Sequence, residues 1–218
     1  MVLERNTKLI MIGDSITDCG RKLPIGEGSN GAEGFGYVCF VSALLKNFYK
    51  DNNNRVINMG ISGDRVRDLK DRWDRDALEL KPDYLSIMIG INDIWRQFEH
   101  PLRVEEHVYI EEYRSTLEEL IEKTLPSLKK LILMTPFFIE SNKNDLMRIE
   151  VDKYGKVVKE LADKYNAIFV DTQKAFDELL ENNYSATFAL DRVHPNATGH
   201  MAIARSFLDA IDFNWLER

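Results

Sequence analysis

Residues 9–21 read LIMIGDSITDCGR, in which four apolar residues are followed at once by glycine, aspartate and serine. An apolar run without alternation is typical of a strand that is covered on both faces, as in a parallel sheet. Gly13, Asp14 and Ser15 would then lie at the carboxyl end of that strand. Because ligands bind beyond the carboxyl ends of the strands in open α/β sheets, chemistry is expected first at this point.

The rest of the chain alternates between two kinds of segment. Four more apolar runs, predicted as strands, lie at residues 55–59, 84–89, 130–134 and 167–170. Amphipathic segments with helical periodicity lie at residues 37–49, 66–80, 105–125, 147–165, 175–180 and 195–211. This alternation predicts an α/β fold in which a five-stranded parallel sheet has helices on both faces. The glycine-rich residues 26–36 are predicted to form a loop over the sheet edge.

Composition limits the class of protein. The 218 residues, 44% of them hydrophobic, suffice for one domain with a sizeable core, and we find no linker, so residues 1–218 are predicted to form a single domain. The net charge of −7 argues against nucleic acid or anionic membranes as partners and favours a small molecule. With two cysteines, Cys19 and Cys39, and no Cys/His cluster, neither a disulfide scaffold nor a metal site is expected.

No targeting signal is expected in the amino-terminal segment. Glu4 and Arg5 precede an apolar run that is too short for the core of a signal peptide. No stretch approaches the ~20 apolar residues needed to cross a bilayer. These features predict a soluble cytoplasmic protein.

Polar residues recur after the predicted strands and near the end of the chain, in NMGISGD (58–64), GIND (90–93) and DRVHPNATGH (191–200). A serine hydroxyl is a weak nucleophile unless a base takes its proton, and a carboxylate that fixes the tautomer of a histidine supports that base. Asp191 and His194 are three residues apart, so one turn of loop can bring them together. Ser15 at a strand-to-helix turn would have backbone N–H groups nearby to bind an oxyanion.

Each of these residues also has an ordinary structural explanation. Ser15 could be a helix N-cap, His194 a surface or packed histidine, and Asp191 a turn residue. The order of the four segments, each near a strand end or a helix start, favours the catalytic explanation.

Neighbouring polar residues are assigned structural roles. His200 is predicted to be a packed histidine, and Cys19 a small buried residue. We expect Asp14 to brace the turn beside Ser15, and Gly60 to form a turn.

The four segments resemble the sequence blocks of the SGNH hydrolases, also called GDSL esterases. GDSI contains the serine, NMGISGD the glycine, GIND the asparagine and DRVHPN the histidine with its acid. Only Ile16 departs from the family name, which has leucine at that place. The resemblance implies the SGNH hydrolase fold, a flavodoxin-like three-layer α/β/α arrangement. It also implies Ser15 as nucleophile, His194 as general base and acid, and Asp191 as the orienting carboxylate.

The resemblance further implies an oxyanion hole made of the Ser15 and Gly63 backbone N–H groups and the Asn92 side-chain amide. Over nearly the whole chain the sequence is similar to intracellular bacterial acetylxylan esterases, on the segments GDSITDCGR, GISGDRVRDL, SIMIGINDIWRQ, LMTPFFIE and DRVHPNATGHM. Such enzymes remove acetyl groups from xylo-oligosaccharides through an acetyl-serine intermediate. Neither a metal nor an organic cofactor is implied.

Sugar rings present flat apolar faces that aromatic side chains can bind. Trp95 follows the asparagine segment and Tyr184 precedes the histidine segment, so both are candidates to line a sugar-binding cleft. Each could instead belong to the core or to a contact between subunits of a homo-oligomer.

Two other functions remain open at this stage. The same site could serve a lysophospholipase, a thioesterase or a general short-chain arylesterase, because fold and triad do not determine the acyl group. We see no long apolar lid segment for a fatty chain. A non-catalytic, flavodoxin-like nucleotide-binding module is the alternative of another class, since glycine turns after strands also bind phosphates. No G-x-G-x-x-G or Walker pattern follows a strand here.

Overall fold

Five parallel strands form the centre of the computed structural model, which describes residues 3–216 of the chain. The strands lie in the order β2-β1-β3-β4-β5. Their bounds are β1 Lys8–Gly13, β2 Arg55–Gly60, β3 Tyr84–Met88, β4 Lys130–Met134 and β5 Ile168–Val170. The predicted α/β class and the five-stranded parallel sheet are therefore confirmed.

The helices cover both faces of the sheet. They are α1 Ser15–Asp18, α2 Tyr37–Phe48, α3 Val66–Trp73, α4 Ile91–Glu99, α5 Ile110–Thr124, α6 Leu146–Lys164, α7 Thr172–Leu180 and α8 Ala197–Ala210. Helices α2, α7 and α8 pack together in one layer, and α3, α4, α5 and α6 pack in the other. The side chains of Asp145, Asp171 and Asn196 cap α6, α7 and α8, where they accept hydrogen bonds from first-turn N–H groups.

Three helical segments differ from the sequence prediction. Helix α4 was not predicted at all. The segment predicted as one helix at residues 66–80 is α3 followed by a π-helical turn, Asp74–Leu78. The segment predicted at residues 105–125 is a short 3-10 turn, Val104–Glu106, separated from α5 by a stretch of extended chain.

The register of the three neighbouring strands determines where the site lies. Gly13 at the end of β1 pairs with Gly60 of β2 on one side and with Met88 of β3 on the other. The three strands thus end at one level, about 4.8 Å apart from neighbour to neighbour. The polar segments that follow them consequently share one edge of the sheet.

The glycine-rich loop lies against the outer strand, as the sequence predicted. Gly26 forms an isolated antiparallel bridge with Asn58 of β2, with N–H···O distances of 3.0 and 3.2 Å. No helix within residues 3–216 is both long enough and apolar enough to cross a bilayer. The single-domain assignment to residues 1–218 stays a prediction, and its ends, residues 1–2 and 217–218, lie outside the described residues.

Candidate active site

Ser15, His194 and Asp191 form a continuous hydrogen-bonded chain at this edge of the sheet. Ser15 Oγ lies 2.8 Å from His194 Nε2, and His194 Nδ1 lies 2.6 Å from Asp191 Oδ2. Because the Asp191 carboxylate accepts a hydrogen bond from Nδ1–H, the lone pair of Nε2 faces the serine hydroxyl. The arrangement can therefore move the Ser15 proton to His194 while the carboxylate stabilises the imidazolium.

Ser15 is held at the turn between β1 and α1. Asp14, not Ser15, is the N-cap of α1, and its Oδ1 accepts the Ile16 N–H at 3.0 Å. The explanation of Ser15 as an N-cap is therefore wrong, and Asp14 braces the turn as expected. Helix α1 is four residues long. A helix dipole is small at that length, so backbone N–H groups must supply most of the positive potential beside Ser15.

Asp191 and His194 lie on a tight loop before α8. Asp191 Oδ1 accepts the backbone N–H groups of Val193 at 3.0 Å and His194 at 2.9 Å, which leaves Oδ2 for the imidazole. Burial alone would raise the pKa of Asp191, but the hydrogen bonds from His194 and Val193 outweigh it and hold the pKa below its ordinary value. The carboxylate is thus ionised at neutral pH.

Arg192 anchors this loop, although no motif or spacing in the sequence singles it out. Its backbone is left-handed, with φ of 63°, a conformation that a non-glycine residue adopts at an energetic cost. Its guanidinium lies 2.7 Å from Glu140 and 4.7 Å from the centre of the Phe138 ring. Its carbonyl accepts the Ile139 N–H at 2.8 Å. These contacts attach the histidine loop to the segment that follows β4.

The candidate oxyanion donors follow the three neighbouring strands β1, β2 and β3. Gly63 has φ of 89°, which favours glycine, and a Cβ there would meet no atom within 4 Å. The space beside its Cα is therefore open. Asn92 is buried in the first turn of α4, and one N–H of its side-chain amide donates to the Asp64 carbonyl at 3.0 Å. Within residues 3–216 neither the Ser15 nor the Gly63 N–H has a protein acceptor.

The aromatic candidates lie in different surroundings. The ring of Trp95 is centred 5.7 Å from that of His194, so Trp95 borders the site. Tyr184 is 87% exposed and does not line the cavity of about 310 Å³ beside His194. Residues of the 186–196 segment, Leu190 among them, form that cavity. The assignment of Tyr184 to a sugar-binding cleft stays a prediction.

Two further predictions concern residues behind the serine. His200 is packed, as predicted: its Nδ1 accepts the Tyr37 N–H at 3.2 Å, its Nε2 lies 3.4 Å from half-buried Cys19 Sγ, and burial lowers its pKa to about 4. The prediction that Gly60 forms a turn is wrong. Gly60 is the last residue of β2, and a Cβ on it would lie 2.1 Å from the Asp18 backbone nitrogen. Glycine is required there because α1 crosses the strand closely.

Among the described residues, no group of three or more His, Cys, Asp and Glu side chains has the geometry of a metal site.

Two aspartates near the serine are deeply buried. Burial raises the pKa of Asp14 to about 7 and that of Asp93 to about 8. Asp93 accepts the N–H of Val66, at the start of α3, with both carboxylate oxygens. It thereby joins α4 to α3 below the candidate oxyanion donors.

The chain is similar to characterised hydrolases over its whole length. The acetylxylan esterase of Geobacillus stearothermophilus is 54% identical over 216 residues, 99% of each chain. A crystal structure of a catalytic mutant of Axe2, an acetylxylan esterase from that organism, has a TM-score of 0.99 and 53% identity over 100% of both chains. That mutant is S15A, and H194A and D191A are the other catalytic mutants.

A more distant structure agrees in fold. LAE5, an alpha/beta hydrolase enzyme from the metagenome of Lake Arreo, Spain, is 46% identical, with a TM-score of 0.96 over 98% of both chains. The sequence model of the GDSL-like Lipase/Acylhydrolase family matches residues 11–202. That range contains all four motif segments and the whole of the hydrogen-bonded chain described above. This protein is therefore a member of the GDSL-like lipase/acylhydrolase family.

Proposed function

We propose that this protein is a serine esterase that removes acetyl groups from acetylated xylo-oligosaccharides through an acetyl-serine intermediate. The hydrogen-bonded chain from Asp191 through His194 to Ser15 is the observation that carries the proposal. The similarity to an acetylxylan esterase over 99% of both chains supports the choice of substrate.

In the first half of the reaction, Ser15 Oγ attacks the carbonyl carbon of the acetyl ester while His194 Nε2 accepts the hydroxyl proton. The carbonyl oxygen becomes an oxyanion, and the Ser15 N–H, the Gly63 N–H and the free N–H of the Asn92 amide are its proposed donors. His194 then gives its proton to the sugar oxygen as the C–O bond breaks. The deacetylated sugar leaves, and the acetyl group remains on Ser15.

In the second half, a water molecule takes the place of the sugar hydroxyl. His194 accepts a proton from the water as its oxygen attacks the acetyl carbon, and the same donors bind the new oxyanion. The proton then returns to Ser15 Oγ as the ester bond breaks. Acetate leaves, and the enzyme regains its starting state.

The surroundings of His194 suit a sugar more than a long acyl chain. Trp95 offers an apolar face beside the imidazole, as sugar rings require. The adjacent cavity is open to solvent at Leu190, which is 93% exposed. An enclosed apolar tunnel would favour a fatty acyl chain instead.

The decisive experiment compares acyl chain lengths. Hydrolysis of p-nitrophenyl acetate, butyrate and octanoate should fall steeply as the chain lengthens, and acetylated xylo-oligosaccharides should release acetate. Ser15→Ala should remove activity while the protein stays folded, since loss of a triad nucleophile costs on the order of a millionfold. Equal turnover of the octanoate ester would favour a lipid esterase, and activity in Ser15→Ala would contradict the mechanism.

A further inference from the structure

A buried arginine lies behind the candidate oxyanion hole. Arg72, on α3, has a side chain that is 7% exposed. Its Nε donates to Asp64 Oδ2 at 2.7 Å and its Nη2 to the Gly13 carbonyl at 3.0 Å. Its Nη1 donates to the Met59 carbonyl at 2.8 Å and to Asp76 Oδ2 at 2.9 Å. One planar group thus binds two strand ends and two carboxylates.

The positions of these acceptors along the chain are informative. The Gly13 carbonyl lies one residue before the Asp14–Ser15 pair, so it fixes the peptide that leads to the Ser15 N–H. The Met59 carbonyl lies at the end of β2, and Asp64 directly follows Gly63. Arg72 therefore binds the chain close to both of the backbone donors. Within residues 3–216 the two donor N–H groups have no protein acceptor that would hold them in place.

The third proposed donor is attached to the same segment. The backbone carbonyl of Asp64 accepts the Asn92 amide at 3.0 Å while the Asp64 carboxylate accepts Arg72. A shift of Asp64 would consequently move Gly63 and Asn92 together. The bonds between β1 and β2 fix the chain as far as Ile61, whose N–H donates to the Gly13 carbonyl at 3.0 Å, and Gly63 lies two residues further on.

The charges around Arg72 explain how an arginine can be buried in this place. A buried guanidinium is costly unless it is paired and its donors are satisfied, and Asp64 and Asp76 meet that need. Removing one of its carboxylates would leave part of the charge uncompensated. The ion-pair cluster is therefore sensitive to small changes in geometry.

We propose that Arg72 is a positioning residue for the oxyanion hole, which sets the Ser15 and Gly63 N–H groups at the spacing that a tetrahedral intermediate requires. The inference rests on the proposed esterase function. Lysine would keep the charge but not the function, because its ammonium is a point charge without the fixed fork of a guanidinium. It cannot reach Gly13, Met59 and Asp64 in one geometry.

The test compares Arg72→Lys with Arg75→Lys. Arg75 also pairs with Asp76, at 2.5 Å, but its side chain is exposed and, among residues 3–216, makes no hydrogen bond to the strand ends or to Asp64. With p-nitrophenyl acetate, we expect kcat of Arg72→Lys to fall roughly 100-fold with KM nearly unchanged, since small misplacements of reacting groups cost about that much. Arg75→Lys should keep the wild-type kcat.

A second variant covers the case in which Arg72→Lys does not fold. Asp64→Ala removes the carboxylate that Arg72 holds but keeps the backbone carbonyl that binds Asn92. Its kcat should fall at least about tenfold, again with KM nearly unchanged. Inactivation by a phosphate triester, which needs the same oxyanion donors, should slow in proportion to kcat in both variants.

Each outcome decides the inference. The inference is overturned if a folded Arg72→Lys keeps kcat per folded molecule within about threefold of wild type. Where the lysine variant does not fold, a folded Asp64→Ala that keeps kcat in this range overturns it. It is also overturned if inactivation by the triester is unaffected while ester turnover falls. A wild-type protein that hydrolyses no acetyl ester refutes the proposed function first, whereas an active wild type with an active Arg72→Lys refutes this inference alone.

Discussion

Asp14 and Asp191 both lie near His194, yet their surroundings give the two carboxyl groups opposite properties. Asp14 is buried, and burial raises its pKa to about 7. Asp191 is partly exposed, and its hydrogen bonds from His194 and Val193 hold its pKa below the ordinary value. Only Asp191 is fully ionised at neutral pH and hydrogen-bonded to the imidazole. This difference assigns the orienting role to Asp191.

We therefore expect Asp191→Asn to be far more harmful than Asp14→Asn. The amide keeps the shape of the side chain but cannot stabilise the imidazolium or select its tautomer, a loss of about 10⁴ in kcat in a well-studied triad. Asp14→Asn should lose much less, because asparagine resembles the protonated acid. Steady-state kinetics of both folded variants at one pH provide the test. A lower kcat in Asp14→Asn than in Asp191→Asn would refute the assignment of the acid.

The raised pKa of Asp14 also predicts a pH-dependent stability. Its folded pKa of about 7 exceeds the ordinary value of 3.8, so the folded state binds more protons than the unfolded state between these values. Stability attributable to Asp14 therefore falls as pH rises through this window. Relative to wild type, Asp14→Asn should gain about 2 to 3 kcal/mol between pH 5 and pH 8.

Urea denaturation at both pH values measures this gain. Asp93, whose pKa is about 8, titrates in both the variant and the wild type and changes the stability of both with pH. The quantity to compare is therefore the difference in unfolding free energy between variant and wild type at each pH. A stability difference that is the same at pH 5 and pH 8 would show that Asp14 is ionised in the folded state.

Asn92 tests the oxyanion hole separately from the triad. An oxyanion carries nearly a full charge, whereas the ester oxygen is a weak acceptor, so a fixed amide helps the transition state most. Asn92→Ala should lower kcat by roughly 10² to 10³ with little change in KM. Because Asn92 also binds the Asp64 carbonyl, thermal melts must accompany the kinetics. A lower Tm with kcat per folded molecule unchanged would leave Asn92 with only a structural role.

Sequence patterns identify reactive groups more readily than the groups that hold them. Ser15, Asp191 and His194 could be proposed because their residue types, order and spacing match a known chemistry. Arg72 lies where an amphipathic helix has its buried face, after Val66 and Leu69, and an arginine at such a position is the signal that was overlooked. The left-handed backbone of Arg192 leaves no mark in the sequence.

At the scale of elements, the strands could be predicted within two residues, because parallel strands buried on both faces are mostly apolar. Helix α4 was missed because it begins with Gly90-Ile91-Asn92-Asp93, which looks like a turn. The structure shows why it is a helix: Gly90 has φ of 131° at the N-cap, and Asp93 reaches across to α3. Tertiary contacts decide this element, and a single sequence does not contain them.

Helix α6 contains a glycine that offers a stabilising substitution. Gly155 lies within Leu146–Lys164, and a Cβ there would sit 3.7 Å from Thr135 Cγ2, an ordinary contact. Gly155→Ala should raise the free energy of unfolding by about 0.5 to 1 kcal/mol, because alanine restricts the unfolded chain. Activity should not change.

Gly60→Ala is the matched contrast for this prediction. Its Cβ would lie 2.1 Å from the Asp18 nitrogen, so that substitution should destabilise the protein and displace α1 with Ser15. Chemical denaturation of both variants is the measurement. A destabilised Gly155→Ala would mean that α6 packs more tightly at Thr135 than the distances indicate.

At the scale of the whole molecule, the site depends on a sheet whose first strand is an internal one. β1 pairs with β2 on one side and with β3 on the other, and β4 and β5 extend the sheet from β3. The loops after β1, β2 and β3 carry the proposed oxyanion donors, while the histidine loop comes from a segment between β5 and α8. The fold therefore separates the two halves of the site along the chain and joins them in space.

Ser15 and His194 are 179 residues apart in the chain. On the ribosome, Ser15 therefore emerges 179 residues before His194, so a nascent chain stays catalytically silent until the histidine loop has been made. The N-terminal strands can pair earlier, but they hold a serine without its base. Turnover of an acetyl ester therefore reports that the contact between Ser15 and His194 has formed, rather than the first appearance of the sheet.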